Sequence, residues 1–560
     1  MPALFGWKPA TSAGALARSR RIAAVFTGHG LGSLLDRTGL ARLPFPRRGA
    51  PAERLSEARR LRLAFGELGG TFVKLGQMLS TRGDLLPLEL VDELATLTDA
   101  APPVPFAGVR GVIEADLGRP LERAFAAFEE QPLASASIGQ VHGARLPGGA
   151  DVVVKVRRPF VAEQVEQDLA ILGGLARWAR EHTLAGAELD LPALVDEFAF
   201  TLRGELDYRQ EARNAARLRA GFAGRPEVWI PGVHAAVSSA RVLVLDRARG
   251  LRIADLAALD RAGIPRRAVA ENAVRIFLHE VLELGFFHAD PHVGNFFVRP
   301  DGSLELVDFG MTGRVSPELR DRLLRLGLAA IHRDAGDIVE QLFALGLAGH
   351  TTARAEVTRD VERLLDRYAG VTVGQLAAAD VVRELSALAY QHRLRLPTDL
   401  ALLARVLAMS EGLGLRLDPT FQFFEFASPL LRRHWRARTR PAQLVRRAGR
   451  ALAEAAELGA GLPGRAGRLL ARLERGELDM QVRHEGLSRF SHDLQGMANR
   501  IAIAVVLGAT IVALGLALVV VHPAGWGRLA GQVFGIAFTA SLAFGAWLML
   551  SIWRSGRRGP

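Results

Sequence analysis

Two aspartates and one asparagine at fixed spacings constrain this chain more than any other feature. Asp290 opens Asp290-Pro291-His292-Val293-Gly294-Asn295, five positions from end to end. Thirteen positions further stands Asp308, in Asp308-Phe309-Gly310. Between them Phe296–Arg299 and Ser303–Val307 read as a β-hairpin joined through Pro300-Asp301-Gly302. Asp290 can orient and deprotonate a hydroxyl or a water. Asn295 and Asp308 offer hard oxygens to Mg²⁺, which neutralises charge on the β- and γ-phosphates of a nucleotide. A lone Asp-Phe-Gly is weak evidence, but the three residues in this order around a hairpin are specific. A His288–Asp290–His292 metal site is the rival reading of the same run; the alternative is that His288 packs structurally.

The order and roles match a protein-kinase catalytic loop followed by its Asp-Phe-Gly. Composition sharpens the match. The 560 residues contain 71 Lys and Arg, and only Lys8, Lys74 and Lys155 are lysine. A chain that writes its cations as Arg keeps Lys where a compact ammonium is needed. Lys155 ends Val152-Val153-Val154-Lys155, the pattern of the kinase strand whose Lys holds the α/β-phosphates. Glu205, Asp207 and Glu211 are the candidate acids to pair with it. Where kinases carry a Gly-rich loop, this chain has Ala134-Ser135-Ala136-Ser137-Ile138-Gly139-Gln140, small residues that allow close approach to phosphates on a stiffer backbone. With no Cys, thiolate metal sites, disulfides and Cys nucleophiles are excluded.

These motifs together resemble the UbiB/ADCK atypical kinases, a branch of the protein-kinase-like fold linked to isoprenoid quinone biosynthesis. The resemblance runs from about residue 60 to 435. It rests on Lys74-Leu75-Gly76-Gln77 (the KxGQ motif), the following Ser80-Thr81-Arg82-Gly83-Asp84-Leu85-Leu86-Pro87, the Ala-rich loop, Glu205 with Asp207, Glu211, the loop His288–Asn295, and Leu417-Asp418-Pro419-Thr420-Phe421. Val293 departs from the family's usual Pro. The resemblance implies that Lys155 and Glu211 form the core ion pair and that Asp290, Lys155 and Lys74 are catalytic. It implies that Asn295 and Asp308 hold Mg²⁺ and that residues 134–140 bind the nucleotide with Lys155 and Glu211. It also implies that Lys74 and Gln77 lie on an extension folded over the site, facing Glu205 and Asp207 as a gate.

The expected fold is α+β, a bilobal kinase-like fold with a helical N-terminal extension and a C-terminal transmembrane hairpin. The expected segments are extension 1–105, N-lobe 106–245, C-lobe 246–435, basic helical linker 436–499 and hairpin 500–553. The first 35 residues, basic and without acid before Asp36, read as a transit peptide or a basic amphipathic entry helix. Ile501–Val521 and Leu529–Trp553 are uncharged runs of 21 and 25 residues. At 1.5 Å per residue the shorter spans roughly 30 Å, one bilayer core. Arg500 before them and Arg554, Arg557 and Arg558 after them place both flanks, and the whole preceding domain, in the cytoplasm of a bacterial inner membrane. Gly531 and Gly535 form a GxxxG, a packing face within the hairpin or a homodimer contact.

The net charge of +12 and a pI of about 11.0 point to an anionic partner. Eight arginines between Arg432 and Arg450, with no acid from Glu425 to Glu454, face anionic lipid headgroups on this reading. Nucleic acid is not expected, since only Trp435 interleaves the basic residues. Ser316-Pro317-Glu318 follows Gly310 by a few residues and Ala289 replaces the usual loop Arg, which leaves little segment to dock a peptide. The expected function is therefore a membrane-anchored ATPase or kinase using ATP and Mg²⁺. It would support ubiquinone biosynthesis through quinone precursors or proteins of that pathway. A protein kinase and a non-catalytic lipid-binding scaffold are the alternatives.

Overall fold

The computed structural model describes residues 13–31, 55–99, 101–183, 190–345, 354–368, 376–392, 394, 396–438 and 539. The chain divides into two units, Met1–Leu444 and Val445–Pro560, and all described residues except Thr539 belong to the first.

Alternation in Asp-Val-Val-Val-Lys-Val-Arg builds the centre of the N-terminal sheet. In β4 (Asp151–Arg157) the valines Val152, Val154 and Val156 are buried against Val109 and Ile113 of the helix Phe106–Leu117. A strand's period of two then puts Lys155 on the opposite face, toward the cleft. β4 lies between β3 (Gly139–Arg145) and β6 (Val242–Asp246), antiparallel to both. β1 (Ala127–Phe128) and β2 (Ala134–Ser135) both pair with β3. The expected strands at 151–156 and 241–245 are therefore present.

The expected hairpin is β9 (Phe296–Val298) with β10 (Leu304–Leu306), Glu305 opposite Phe297. β5 (Val228–Trp229) adds parallel to β10, and β7 (Leu251–Arg252) antiparallel to β9. A separate ladder joins β8 (Phe286–His288) to β11 (Thr312–Arg314), bringing the segments before Asp290 and after Gly310 together.

From 317 onward the described elements are helices, as the pattern implies: Pro317–His332, Ala335–Ala344, Arg354–Arg367, Ala378–Gln391, Thr398–Leu417 and Phe423–Arg438. Two cores hold them. Val274 and Phe277 of the helix Arg266–His279 pack with Leu403, Val406 and Phe423, while Val339, Leu342, Val357 and Leu388 form the second.

The N-terminal extension consists of Glu57–Leu68, Gly70–Leu79 and Leu88–Ala95. Phe65, Leu68, Phe72 and Leu94 bury against Leu169, Phe198 and Leu202 of the helices Val161–His182 and Leu191–Glu205. A Cβ at Gly76 would lie 2.3 Å from a Leu97 methyl and 2.9 Å from the Phe65 ring, so Lys-Leu-Gly-Gln needs its glycine for packing. Asp84 ties the far end of the extension down. It accepts two 2.9 Å bonds from Arg82 and a 3.1 Å bond from the Leu396 backbone N–H. Further upstream, the helix Ala13–Gly28 docks through Arg18, 2.7 Å from the fully buried Asp168, which agrees with the entry-helix reading.

Among the described residues no helix is long and apolar enough to cross a membrane. The runs 501–521 and 529–553, Gly531, Gly535 and the linker beyond Arg438 lie outside the described residues, apart from Thr539.

Candidate active site

Lys155 decides among the three candidate acids. Its Nζ donates to both carboxylate oxygens of Glu211 at 2.9 Å and lies 3.3 Å from Asp308 Oδ2. Glu211 sits in the first turn of the helix Tyr208–Gly221 and also accepts from the Phe309 backbone N–H at 3.3 Å. One turn later Asn214 Nδ2 donates to the Phe309 carbonyl at 2.9 Å. A single helix thus fixes both the lysine and the Asp-Phe-Gly backbone. That support matters because Asp308 has φ 65°, a left-handed conformation costing roughly 1–2 kcal/mol for a residue with a Cβ. Asp308 Oδ1 accepts from Gly310 N–H at 3.1 Å.

Burial pulls Lys155 toward neutrality, but Asp308 and Glu211 win and raise its pKa well above the usual lysine value. Burial likewise opposes ionisation of Asp308. The Lys155 ammonium, the Gly310 N–H and the Lys74 ammonium outweigh it and hold the carboxyl far below the ordinary range. The pair is therefore charged at neutral pH.

Asp290 and Asn295 come together as expected. Asn295 Nδ2 donates to the Asp290 carbonyl at 3.0 Å and lies 3.4 Å from Asp290 Oδ2, leaving its own Oδ1 as an acceptor. His288 is buried with both ring nitrogens engaged. Its Nδ1 accepts from Asp290 N–H at 3.1 Å, and its Nε2 meets the Asp308 carbonyl at 2.5 Å, which assigns the Nε2–H tautomer. His288 is thus a strut between the two aspartate segments, not one corner of a His–Asp–His metal site. Asn295 and Asp308 offer oxygen donors only. That suits Mg²⁺, which takes one or two protein oxygens and completes its shell with phosphates and water.

The gate is corrected in one partner. Lys74 Nζ lies 3.0 Å from Glu205 as expected, but its second partner is Asp99 at 3.2 Å, not Asp207. Asp207 is the N-cap of the helix Tyr208–Gly221, so its carboxylate folds onto Arg209 N–H at 3.1 Å and the Arg209 side chain at 2.9 Å. Burial opposes the charge on Lys74; Glu205 and Asp99 overcome it and keep the ammonium protonated. Gln77 lines the same cavity and donates to the Leu97 carbonyl at 3.2 Å.

The Ala-rich loop is held from the extension side. Ser137 Oγ donates to Asp99 at 2.7 Å, so one carboxylate clamps both the gate lysine and the loop. Arg158 donates to the Ala136 carbonyl and to Ser135 Oγ, each at 2.8 Å. Ala134, Ser135, Ala136, Ile138 and Gly139 line the cavity. Gln140 does not belong with them. It is buried, accepting from Val104 N–H and donating to His142, each within 2.9 Å, because the strand alternation turns it into the sheet's packed face. Gly139 has a steric reason to be glycine: a Cβ there would lie 2.0 Å from Tyr208 Oη.

Four residues of the site escaped sequence reasoning: Asp99, Arg158, Tyr208 and Arg405. Tyr208 could have been suspected. The chain has only three Tyr, as few as Lys, and this one places its ring 5.5 Å from Lys155 Nζ. Asp99, Arg158 and Arg405 carry no local signal among so many acids and arginines. Arg405, on the helix Thr398–Leu417, lies 3.8 Å from Asp290 Oδ1. Lys74, Lys155, Glu205, Glu211, Asp290, Asn295 and Asp308 all face one cavity of about 1060 Å³.

Three stretches of the chain match family models. Residues 96–342 match the ABC1 atypical kinase-like domain, 361–422 the UbiB helical domain and 485–554 the ABC1/UbiB kinase-like C-terminal domain. The chain is similar to the probable protein kinase UbiB of Xylella fastidiosa, 34% identical, covering 97% of this chain and 100% of that one. It is also similar to the uncharacterized protein sll1770 of Synechocystis, 34% identical, covering 78% of this chain and 76% of that one. A solved complex of Rv3197 with erythromycin from Mycobacterium tuberculosis is 25% identical with a TM-score of 0.42, covering 64% of this chain and 92% of that one.

Proposed function

The chain belongs to the ABC1/UbiB family of kinase-like proteins, with a mixed helix-and-sheet kinase-like fold, and from that premise we propose that it is a Mg-ATP-dependent ATPase. The observation that carries this reading is Lys155 bridging Glu211 and Asp308 at the wall of a cavity that also presents Asp290 and Asn295. Lys155 would meet the α/β-phosphates, and Asp308 with Asn295 would give oxygens to Mg²⁺. Asp290 would orient the attacking water or a substrate hydroxyl.

The segment after Asp308-Phe309-Gly310 favours hydrolysis, or a small acceptor, over a peptide. β11 pairs with β8 at once, and Ser316 caps the helix Pro317–His332 by accepting from Leu319 N–H at 3.1 Å. No long loop remains there to hold a polypeptide.

The reading extends to place. Both uncharged runs fall within the matched C-terminal region, residues 485–554, and as a hairpin they would anchor a cytoplasmic domain to a bacterial inner membrane. There the ATP cycle would handle lipid-like quinone precursors in support of ubiquinone biosynthesis, a step that rests on family analogy.

The test is full-length protein in anionic liposomes, assayed for phosphate release and for label transferred to protein. Wild type should release phosphate in a Mg²⁺-dependent way. Asp308→Asn should lose it while keeping its melting temperature, because one anionic ligand is gone. Wild-type turnover in Asp308→Asn would sink the assignment. Label on protein with little free phosphate would indicate a protein kinase, and neither signal a scaffold.

A further inference from the structure

The cavity extends past the residues that would hold a nucleotide. Its volume of about 1060 Å³ lies at the upper end of the ~300–1,000 Å³ typical of small-ligand pockets. Beyond the charged residues its wall turns apolar: Leu326, Leu385, Leu407 and Phe424 line it and stay only partly buried. Apolar surface left toward water forgoes about 25 cal/mol per Å², so these side chains are suited to an apolar occupant. The helix Thr398–Leu417 also brings Ala401, Ala404 and Ala408 to the cavity, three and four residues apart on one face, where larger residues would fill the space.

Arg405 stands where this wall meets the cleft. Its side chain is 20% exposed. Its contacts are long: 3.8 Å to Asp290 Oδ1 and 3.4 Å to the Gln77 carbonyl. A guanidinium has five N–H donors, and among the described residues it makes no other hydrogen bond or ion pair. The cavity's two lysines are already neutralised, Lys74 by Glu205 and Asp99, Lys155 by Glu211 and Asp308. Arg383, which also lines the cavity, is mostly exposed and lies 3.7 Å from Asp380. Arg405 is therefore the partly desolvated cation best placed to receive an anion beside Asp290.

We propose that the cavity binds a second ligand next to the nucleotide, a single-chain amphiphile whose anionic head sits on Arg405 and whose apolar tail lies among Leu326, Leu385, Leu407 and Phe424. This deepens the reading above and rests on it for placing the head group beside the reacting centre. Arg405 then selects the ligand by its charge and brings it to Asp290, and the alanine face of its helix sets the width of the tail site.

The experiment is a fluorescence titration of the full chain in phosphatidylcholine nanodiscs. The probes are 11-(dansylamino)undecanoic acid and its methyl ester, against empty nanodiscs. Wild type should bind the acid saturably, one per chain. Arg405→Gln should weaken the acid at least tenfold and the ester less than twofold. Ala408→Trp should weaken both at least tenfold; if it fails to fold, Leu385→Asn should weaken both. Dodecanoate or dodecyl phosphate should displace the probe, and the one acting at lower concentration identifies the head group. Equal binding by wild type and Arg405→Gln, binding untouched by both tail-site variants, or displacement by neither competitor would overturn the proposal. The titration reads no turnover. Its failure with Mg-ATP hydrolysis intact removes only the amphiphile, and its success without hydrolysis removes only the ATPase.

Discussion

Lys74 lies between two carboxylates, Glu205 and Asp99, and the second also holds Ser137 of the Ala-rich loop. Removing the ammonium leaves Glu205 nearly buried without a counter-charge, so Lys74→Ala should cost about 3 kcal/mol and loosen the loop. Its chemistry should differ in kind from that of Lys155→Ala, which removes a phosphate contact and should only lose function. Lys74→Ala should change nucleotide selectivity or admit self-labelling. Asp207→Ala should lose only a helix cap, about 1 kcal/mol, with nucleotide binding unchanged. Melting curves and labelled-ATP incorporation for the three variants side by side check this; identical behaviour of the two lysine variants would remove the gate. A second residue answers to pH. Glu280 is buried behind the catalytic loop, one oxygen accepting from His288 N–H and the other without a partner, and burial pushes its pKa up to about 8. An unfolded Glu titrates near 4.3. Between that value and about 8 the native state therefore binds the extra proton, and stability falls as pH rises. Glu280→Gln should remove this slope, matching wild type near pH 5 and exceeding it by about 3–4 kcal/mol at pH 8. Parallel melts at the two pH values decide it.

At the scale of elements, the extension is a bridge with two footings. Its middle is packed on Val161–His182 and Leu191–Glu205, and its end is pinned at Leu396 through the buried Arg82–Asp84 pair. The helix carrying Lys74 and Gln77 is held over the cleft by both. Asp84→Asn weakens the second footing alone: the amide cannot return two charge-assisted bonds to Arg82. It should lower stability by about 3 kcal/mol. It should also speed amide exchange in Gly70–Leu79 more than in β3 and β4, and shorten nucleotide residence. Hydrogen exchange by mass spectrometry reads this; uniform acceleration across the domain would show a global loss of stability instead of a released bridge.

At the scale of the whole molecule, the proposed membrane reading makes a prediction about lipid charge. Arg432 and Arg433 lie on the last described helix, Phe423–Arg438, and the sequence continues basic to Arg450. If this stretch draws the domain onto anionic headgroups, ATP turnover should rise severalfold from neutral to anionic liposomes. It should fall again as salt goes from about 0.05 to 0.5 M, since the Debye length shrinks to a few ångströms. Turnover independent of lipid charge would remove lipid sensing without bearing on the proposed anchor.

The sequence by itself determined the chemistry-bearing set. Asp290, Asn295 and Asp308 are tied by short spacings around a hairpin, and Lys155 stands out because lysine is so rare here; such local signals survive without any knowledge of packing. It also determined β4, since a period of two leaves one face for the core and the other for Lys155. Pairings between distant segments were decided only by the tertiary structure. Glu205 and Asp207 are two residues apart, yet one meets Lys74 and the other caps the helix Tyr208–Gly221, because the helix Leu191–Glu205 ends between them. Asp99 and Arg405 became part of the site because the extension and the helix Thr398–Leu417 converge on the catalytic loop. Gln140 left it because alternation along β3 turned its side chain into the packed face of the sheet. An acid or an arginine looks the same at every position of a chain rich in both, and its partner is chosen by long-range packing that no local spacing records.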